Sequence, residues 1–209
     1  KKLYDQAMLL MAYTEAYQAT GKDEYRDTAE QIIAYVLRDL ASTYGGFYSA
    51  EDADSEGEEG KYYVWTVDEL QNIAGDEGQN VLVYLGVKPG GNYVDEVTQE
   101  KTGTNILHVA SDEPPGKLEE IKSKLFEQRE KRVRPLLDDK ILTDWNGLMI
   151  AALSKAARAF QVSEYAEEAV RSADFILGTM WDGEELLHRY REGEAQIGGF
   201  LNDYAFTTW

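Results

Sequence analysis

Tyr4-Asp5-Gln6-Ala7-Met8 near the start of the chain and Asp144-Trp145-Asn146-Gly147-Leu148 further on decide the fold, because they are the same place in two copies of one unit. The offset of 140 residues holds without a gap: Ala12 falls on Ala152, Ala16 on Ala156, Tyr25 on Tyr165 and Ala29 on Ala169. Each copy opens a run of helical periodicity. In the first, Leu3, Ala7, Leu10, Thr14 and Tyr17 make one stripe that Met8 and Met11 widen, so this helix reads as apolar on most sides. The segment from Tyr25 to Leu40 sets Ala29, Ile32, Ile33, Val36 and Leu40 on one face only. Gly21 supplies a C-cap between the two and Asp23 a candidate N-cap, which predicts an antiparallel helical hairpin.

A third copy begins at Asn202-Asp203-Tyr204-Ala205. Hairpins that cannot bury their own apolar faces must stack on one another, as a solenoid or a closed ring. Alternation of a helix buried all round with one buried on a single face favours the ring. The expected class is therefore all-α, a partial (α/α) toroid with a small β-hairpin. Residues 1–209 are read as a fragment of one such domain, since both ends fall at or inside helices. The hairpin is expected between Thr43 and Trp65, with aromatic flanks at Phe47-Tyr48 and Tyr62-Tyr63 and an acidic tip at Glu56, Glu58 and Glu59. A shorter excursion is expected from Asp182 to Gly193. Two short helices are expected over 66–86, a loop over 87–115 and a charged surface helix over 117–132.

Composition narrows function by exclusion. With 39 acidic against 21 basic residues the net charge is −18, which repels nucleic acid and anionic membrane surfaces. The apolar runs fall short of the roughly 20 residues that span a bilayer. The absence of cysteine removes disulfides, thiolate zinc sites and cysteine nucleophiles, and is compatible with a cytoplasmic location. No P-loop, dinucleotide fingerprint or nucleophile elbow is present, and no cofactor is expected.

In an up-and-down ring the starts of the inner helices share one mouth. Asp5, Gln6, Asp144, Trp145, Asn146, Asp203 and Tyr204 would meet there, together with Glu51, Asp52 and Asp54 from the hairpin. Carboxylates beside stacking aromatics are what sugar chemistry requires: one acid protonates, another serves as base or nucleophile, and ring faces stack on Trp or Tyr. Glu51, Asp52, Asp144 and Asp203 are the candidate catalytic groups, and Asp5, Asp54, Trp145, Asn146 and Tyr204 the candidate substrate contacts. Asp144 and Asp203 have a simpler reading as helix N-caps. The stretch from Asp52 resembles the opening of a calcium loop, with Asp54, Glu56 and Gly57 in step, but Tyr63 stands where a bidentate glutamate belongs, so no metal is expected. His108 and His188 lack helical ligand spacing, and each reads as a solvated or hydrogen-bonded histidine, with a proton-transfer role in a sugar epimerase as the other reading.

Several phrases carry a family resemblance: Gly45 to Ser55, Tyr63-Val64-Trp65-Thr66, Asn105-Ile106-Leu107-His108, Arg134-Pro135 with Asp138-Asp139-Lys140, Thr143 to Met149, and Gly199-Phe200-Leu201 with Asp203 to Phe206. From end to end the chain resembles the family of spermatogenesis-associated protein 20 and the bacterial YyaL-type proteins. The resemblance implies a thioredoxin-like domain outside these residues and an (α/α)6 domain similar to the six-hairpin glycosidase and N-acylglucosamine 2-epimerase superfamily. It implies a carbohydrate-active or carbohydrate-binding cleft, with the rest of the toroid and the thioredoxin-like domain as partners. The alternative is a non-catalytic scaffold serving that neighbour. The resemblance also implies arginine rather than histidine at position 188, which argues against His188 as a proton-transfer group.

Overall fold

The computed structural model describes residues 1–94 and 99–209, which form two compact units: residues 1–52 with 137–209, and residues 53–136. Where the sequence reads as a single stretch of toroid, the middle of the chain thus packs as a body of its own.

The first unit contains α1 (Leu3–Thr20), α2 (Asp23–Tyr35), α6 (Thr143–Phe160), α7 (Ser163–Thr179) and α8 (Leu201–Thr208). The repeat is visible in three dimensions. Tyr4 meets Trp145 at 4.9 Å between ring centres, Glu15 pairs with Lys155, and Tyr17 meets Phe160 at 5.4 Å. Contacts that ascend together in sequence mean that α1 and α6 run parallel, side by side. Parallel neighbours must each be followed by a returning helix, and α2 and α7 are those returns. The α1–α2 turn is closed by Gly21 at φ 68°, as its C-cap position predicts. The equivalent turn after α6 uses Gln161 at φ 61°, a conformation that costs a residue with a Cβ.

Leu3, Ala7, Leu10, Leu148, Met149, Ala152, Leu153 and Ala156 fill the seam between the parallel helices, and Ala29 and Ile33 close it from α2. The alanines let the backbones approach. At Gly147 an added Cβ would lie 2.7 Å from the carbonyl carbon of Phe206 in α8. Only glycine permits that crossing. Met8 and Leu9 are exposed, so α1 buries one stripe here rather than most of its sides. Asp23 forms no N-cap, and it sits in the first turn of α2. The last turn expected of that helix is a π-helical turn over Val36–Leu40 that buries Val36 and Leu40.

The protein is mainly helical, as expected, and carries short strands in more places than the one hairpin expected. In the first unit β1 (Ala50–Glu51) pairs with β4 (Leu137–Asp138). The sheet of β5 (Ile141–Leu142), β6 (Leu187–Arg191) and β7 (Glu194–Gly198) covers a second apolar cluster of Ile141, Phe175, Ile176, Met180 and Tyr190. The longer ladder is thus at 187–198, where a minor excursion is expected. Eight α-helices are present among the described residues, and a closed ring is not among what they establish.

The second unit holds α3 (Val67–Ala74), α4 (Gln79–Tyr84), α5 (Leu118–Arg129) and the hairpin β2 (Asp54–Ser55) to β3 (Glu58–Glu59). The hairpin is shorter than expected, with Glu56 and Gly57 at positive φ as its two-residue turn. Its presumed aromatic flank is no strand: Tyr62 and Trp65 are buried, Trp65 in a core with Leu70, Val81, Leu82, Ile121 and Leu125. Arg132 stacks on the Trp65 ring at 4.0 Å and donates to the carbonyls of Lys61, Tyr62 and Val64 and to Glu69. Thr66 and Glu69 form a reciprocal capping box on α3. Part of the loop expected over 87–115, residues 95–98, lies outside the described residues.

Candidate functional site

The site is built where β5 runs directly into α6. Pairing of Ile141 with Tyr190 and of Leu142 with Arg189 lays β6 beside the entry to the helix, and the Thr143 hydroxyl fixes the join by donating to the Leu187 carbonyl at 2.5 Å. Strand alternation puts Tyr190 into the core and leaves His188 one residue pair away on the same face. After β7 the chain turns at Gly199, whose amide donates to the Leu186 carbonyl at 2.7 Å. A Cβ at Gly199 would meet that oxygen at 2.7 Å. The tight return delivers the first turn of α8, with Asp203, against the first turn of α6, with Asp144.

Asp203 is fully buried. One carboxylate oxygen accepts the Asp144 amide at 2.9 Å and the other accepts the Phe200 amide at 2.7 Å, while Nδ1 of His188 stands 3.0 Å from both. With both Asp203 oxygens accepting backbone amides, Nδ1 of His188 is placed to donate to the same carboxylate. The remaining nitrogen, Nε2, makes no hydrogen bond among the described residues. The imidazole lies edge-on to the Phe200 ring at 4.9 Å, and that ring is 58% exposed.

Asp144 completes the group. One of its oxygens accepts the Trp145 amide at 2.8 Å, and the residue retains 8% of its exposure. Burial raises its pKa above the usual carboxylate range, opposed by the Trp145 amide, reinforced by the charge of Asp203 and again opposed by His188. Neither aspartate is an N-cap of the expected kind. Asp144 lies inside the first turn with its carboxyl on the next amide, and Asp203 reaches back from the third position of α8.

Other expected site residues lie elsewhere. Asn146 spends its amide group within the protein, accepting from the Phe47 amide and the Ser172 hydroxyl and donating to the carbonyls of Phe47 and Leu142. This corrects its reading as a substrate contact: it is the latch between the 44–48 segment and α6. Glu51 is buried on β1 and accepts the Tyr35 hydroxyl at 3.2 Å. Asp5 and Asp52 are exposed, and Asp54 belongs to the second unit. Trp145 packs on Tyr4, and the Tyr204 hydroxyl accepts the Leu186 amide at 3.1 Å. His188 is a hydrogen-bonded histidine, one of the two states expected of it. Its partner is 15 residues away in sequence, across a strand pair and a turn.

Asp144, His188 and Asp203 are also the one trio of His, Asp or Glu, among the described residues, whose ligand atoms gather within 4.8 Å. A metal there would need the Nδ1 lone pair and a free Asp203 oxygen. Nδ1 faces the Asp203 carboxylate at 3.0 Å, and each of those oxygens already accepts a backbone amide.

Sequence comparison then places the chain. It is 33% identical over 247 residues to spermatogenesis-associated protein 20 of Mus musculus and 34% identical over 252 residues to that of Homo sapiens, each match covering 99% of this chain. The chain belongs to the family of spermatogenesis-associated protein 20. It spans 31% of the length of those relatives. A Caenorhabditis elegans member, uncharacterized protein B0495.5, is 29% identical over 246 residues, again with 99% of this chain covered, and 34% of its own length. No family model matches the chain. Among solved structures, a D-mannose isomerase is 16% identical over 94% of this chain and 46% of its own, with a TM-score of 0.29. The cellobiose 2-epimerase of Spirochaeta thermophila is 14% identical over 99% and 69%, with a TM-score of 0.31. Superpositions this loose do not align side chains, and the geometry of the site in this family member stands on its own distances. No helix among the described residues is long and apolar enough to cross a membrane.

Proposed function

We propose that the first unit carries a proton-transfer site for a sugar, of the epimerase or isomerase kind, with His188 as the base and Asp203 as the residue that orients it. The observation that carries this reading, and that outweighs the arginine the family resemblance implies at 188, is the His188–Asp203 pair: this chain has histidine there, held by a buried carboxylate with Nε2 unengaged. The same geometry speaks against glycoside cleavage by Asp144 and Asp203 as a carboxylate pair. Such pairs stand about 5–10 Å apart and both face the substrate, whereas Asp203 is sealed and its oxygens are taken. The exposed Phe200 ring beside the imidazole offers a stacking face, and a net charge of −18 favours a neutral substrate over an anionic one.

The test uses the full-length protein, incubated with mono- and disaccharides in deuterium oxide and followed by NMR for loss of the carbon-bound proton next to the carbonyl. Exchange that His188→Gln abolishes is the expected result. Absence of exchange with every sugar, or exchange that survives in the variant, overturns the reading. The alternative, a non-catalytic module beside a thioredoxin-like domain, draws support from the structural engagement of Asn146 and Asp203. On that reading His188→Gln alters stability alone.

A further inference from the structure

Within the proton-transfer reading, the geometry points to Asp144 as a second catalytic residue that carries a proton to and from the substrate oxygens, and to aldose–ketose isomerisation as the reaction. Two carboxyl groups and an imidazole share this corner, and their surroundings divide the labour. Asp203 has two amide donors and the imidazole nitrogen on its two oxygens, so both are engaged. Asp144 has one amide donor for one oxygen, and its other oxygen makes no hydrogen bond among the described residues, although the residue is more than nine-tenths buried. Of two neighbouring carboxyls, the one with fewer donors is the more readily protonated. The charged groups that face Asp144 are Asp203 from α8 and His188 from β6.

The balance of the reaction follows. Nε2 of His188 removes the proton from C2 of an open-chain aldose, the electrons of the C–H bond form a C1–C2 double bond, and the C1 oxygen takes the proton of Asp144. The product is an enediol facing an imidazolium and a carboxylate. Asp144 then takes the proton from the C2 hydroxyl, the C2 carbonyl forms, and the imidazolium returns its proton to C1. No oxidant or further reactant is consumed. Because one imidazole serves both carbons, the proton leaves and returns on one face of the enediol. Inversion at C2 would need a second base opposite.

The experiment gives the full-length protein aldoses deuterated at C2, under single-turnover conditions, and follows the label by NMR. With the wild type, part of the deuterium is expected at C1 of the ketose. Asp144→Asn keeps an acceptor for the Trp145 amide and should lower kcat about 100-fold or more with KM changed only a few-fold. Asp144→Glu, which keeps the carboxyl, should retain more activity than Asn. Melting temperatures of both variants report whether the fold is intact. A wild type that moves label while Asp144→Asn does so at the same rate overturns the role of Asp144 and leaves His188 standing. Activity lost equally in Asn and Glu variants that melt no lower than the wild type also overturns the carboxyl role. Formation of the C2 epimer without ketose overturns the isomerase assignment. A wild type that exchanges nothing overturns this inference together with the reading on which it rests.

Discussion

Replacing Asp203 with alanine should be among the most damaging single changes in the first unit, and the structure says how damaging. The side chain is fully buried and is the acceptor for the amides of Asp144 and Phe200 at 2.9 and 2.7 Å. Alanine leaves both donors without a partner at the starts of two helices, where water must be admitted or the donors left bare. A buried donor stranded in this way costs about 1–3 kcal/mol. His188, with 20% of its side chain exposed, can turn to water and adds little. The sum is about 2–6 kcal/mol. Asparagine should fall in between, since its oxygen serves one amide while its NH2 faces donors. Urea unfolding gives the free energy, and hydrogen exchange at the Asp144 and Phe200 amides shows where it is lost. A cost below about 1 kcal/mol for alanine, with both amides still protected, refutes the account of Asp203 as the clasp between α6 and α8.

Asp144→Asn should raise stability at neutral pH. A carboxyl whose folded pKa is raised contributes stability that is complete below its unfolded pKa and is lost as pH climbs through the folded value, so wild type and variant should melt alike in acid and diverge as pH rises. Arg132→Met should cost the second unit about 2–4 kcal/mol in urea unfolding, because three carbonyls and Glu69 lose a charged donor while the stem still covers Trp65. A cost under about 0.5 kcal/mol would show that water replaces the guanidinium. Gln161→Gly should gain about 0.5–1 kcal/mol by giving the second hairpin the residue that its first copy has at Gly21. A loss there would mean that the bond from the Gln161 amide to the Arg158 carbonyl outweighs the strain.

The helices were legible because they rest on local spacing. A stripe at Leu3, Ala7, Leu10 and Thr14 needs no knowledge of what lies opposite, and the gapless offset from Tyr4 to Asp144 predicts the side-by-side packing that Tyr4–Trp145 and Tyr17–Phe160 display. The strands were not, since β4 and β5 are two residues each and exist only through partners far along the chain. Half of the catalytic proposal could be read in the same way: Asp144 and Asp203 stand at equivalent places of successive copies. His188 could not. Its role depends on the register of β6 against β5 and on the turn at Gly199, which are properties of pairing rather than of pattern. Asn146 shows the opposite failure, a polar residue at a promising position whose hydrogen bonds all turn inward.

The pairing of Ala50 with Asp138 has a meaning beyond holding two short strands together. Chain positions on paired strands are about 4.8 Å apart, so everything from 53 to 136 leaves and re-enters the first unit through one narrow doorway. The second unit is tied across its own threshold, where the Ser55 hydroxyl donates to the Val133 carbonyl at 2.6 Å. A stretch whose two ends meet at one ladder can be lengthened, shortened or exchanged while the ladder stays as it is. Alignments of 246 to 252 positions against a chain of 209 residues imply gaps in this family, and at this doorway added length would disturb the framework least.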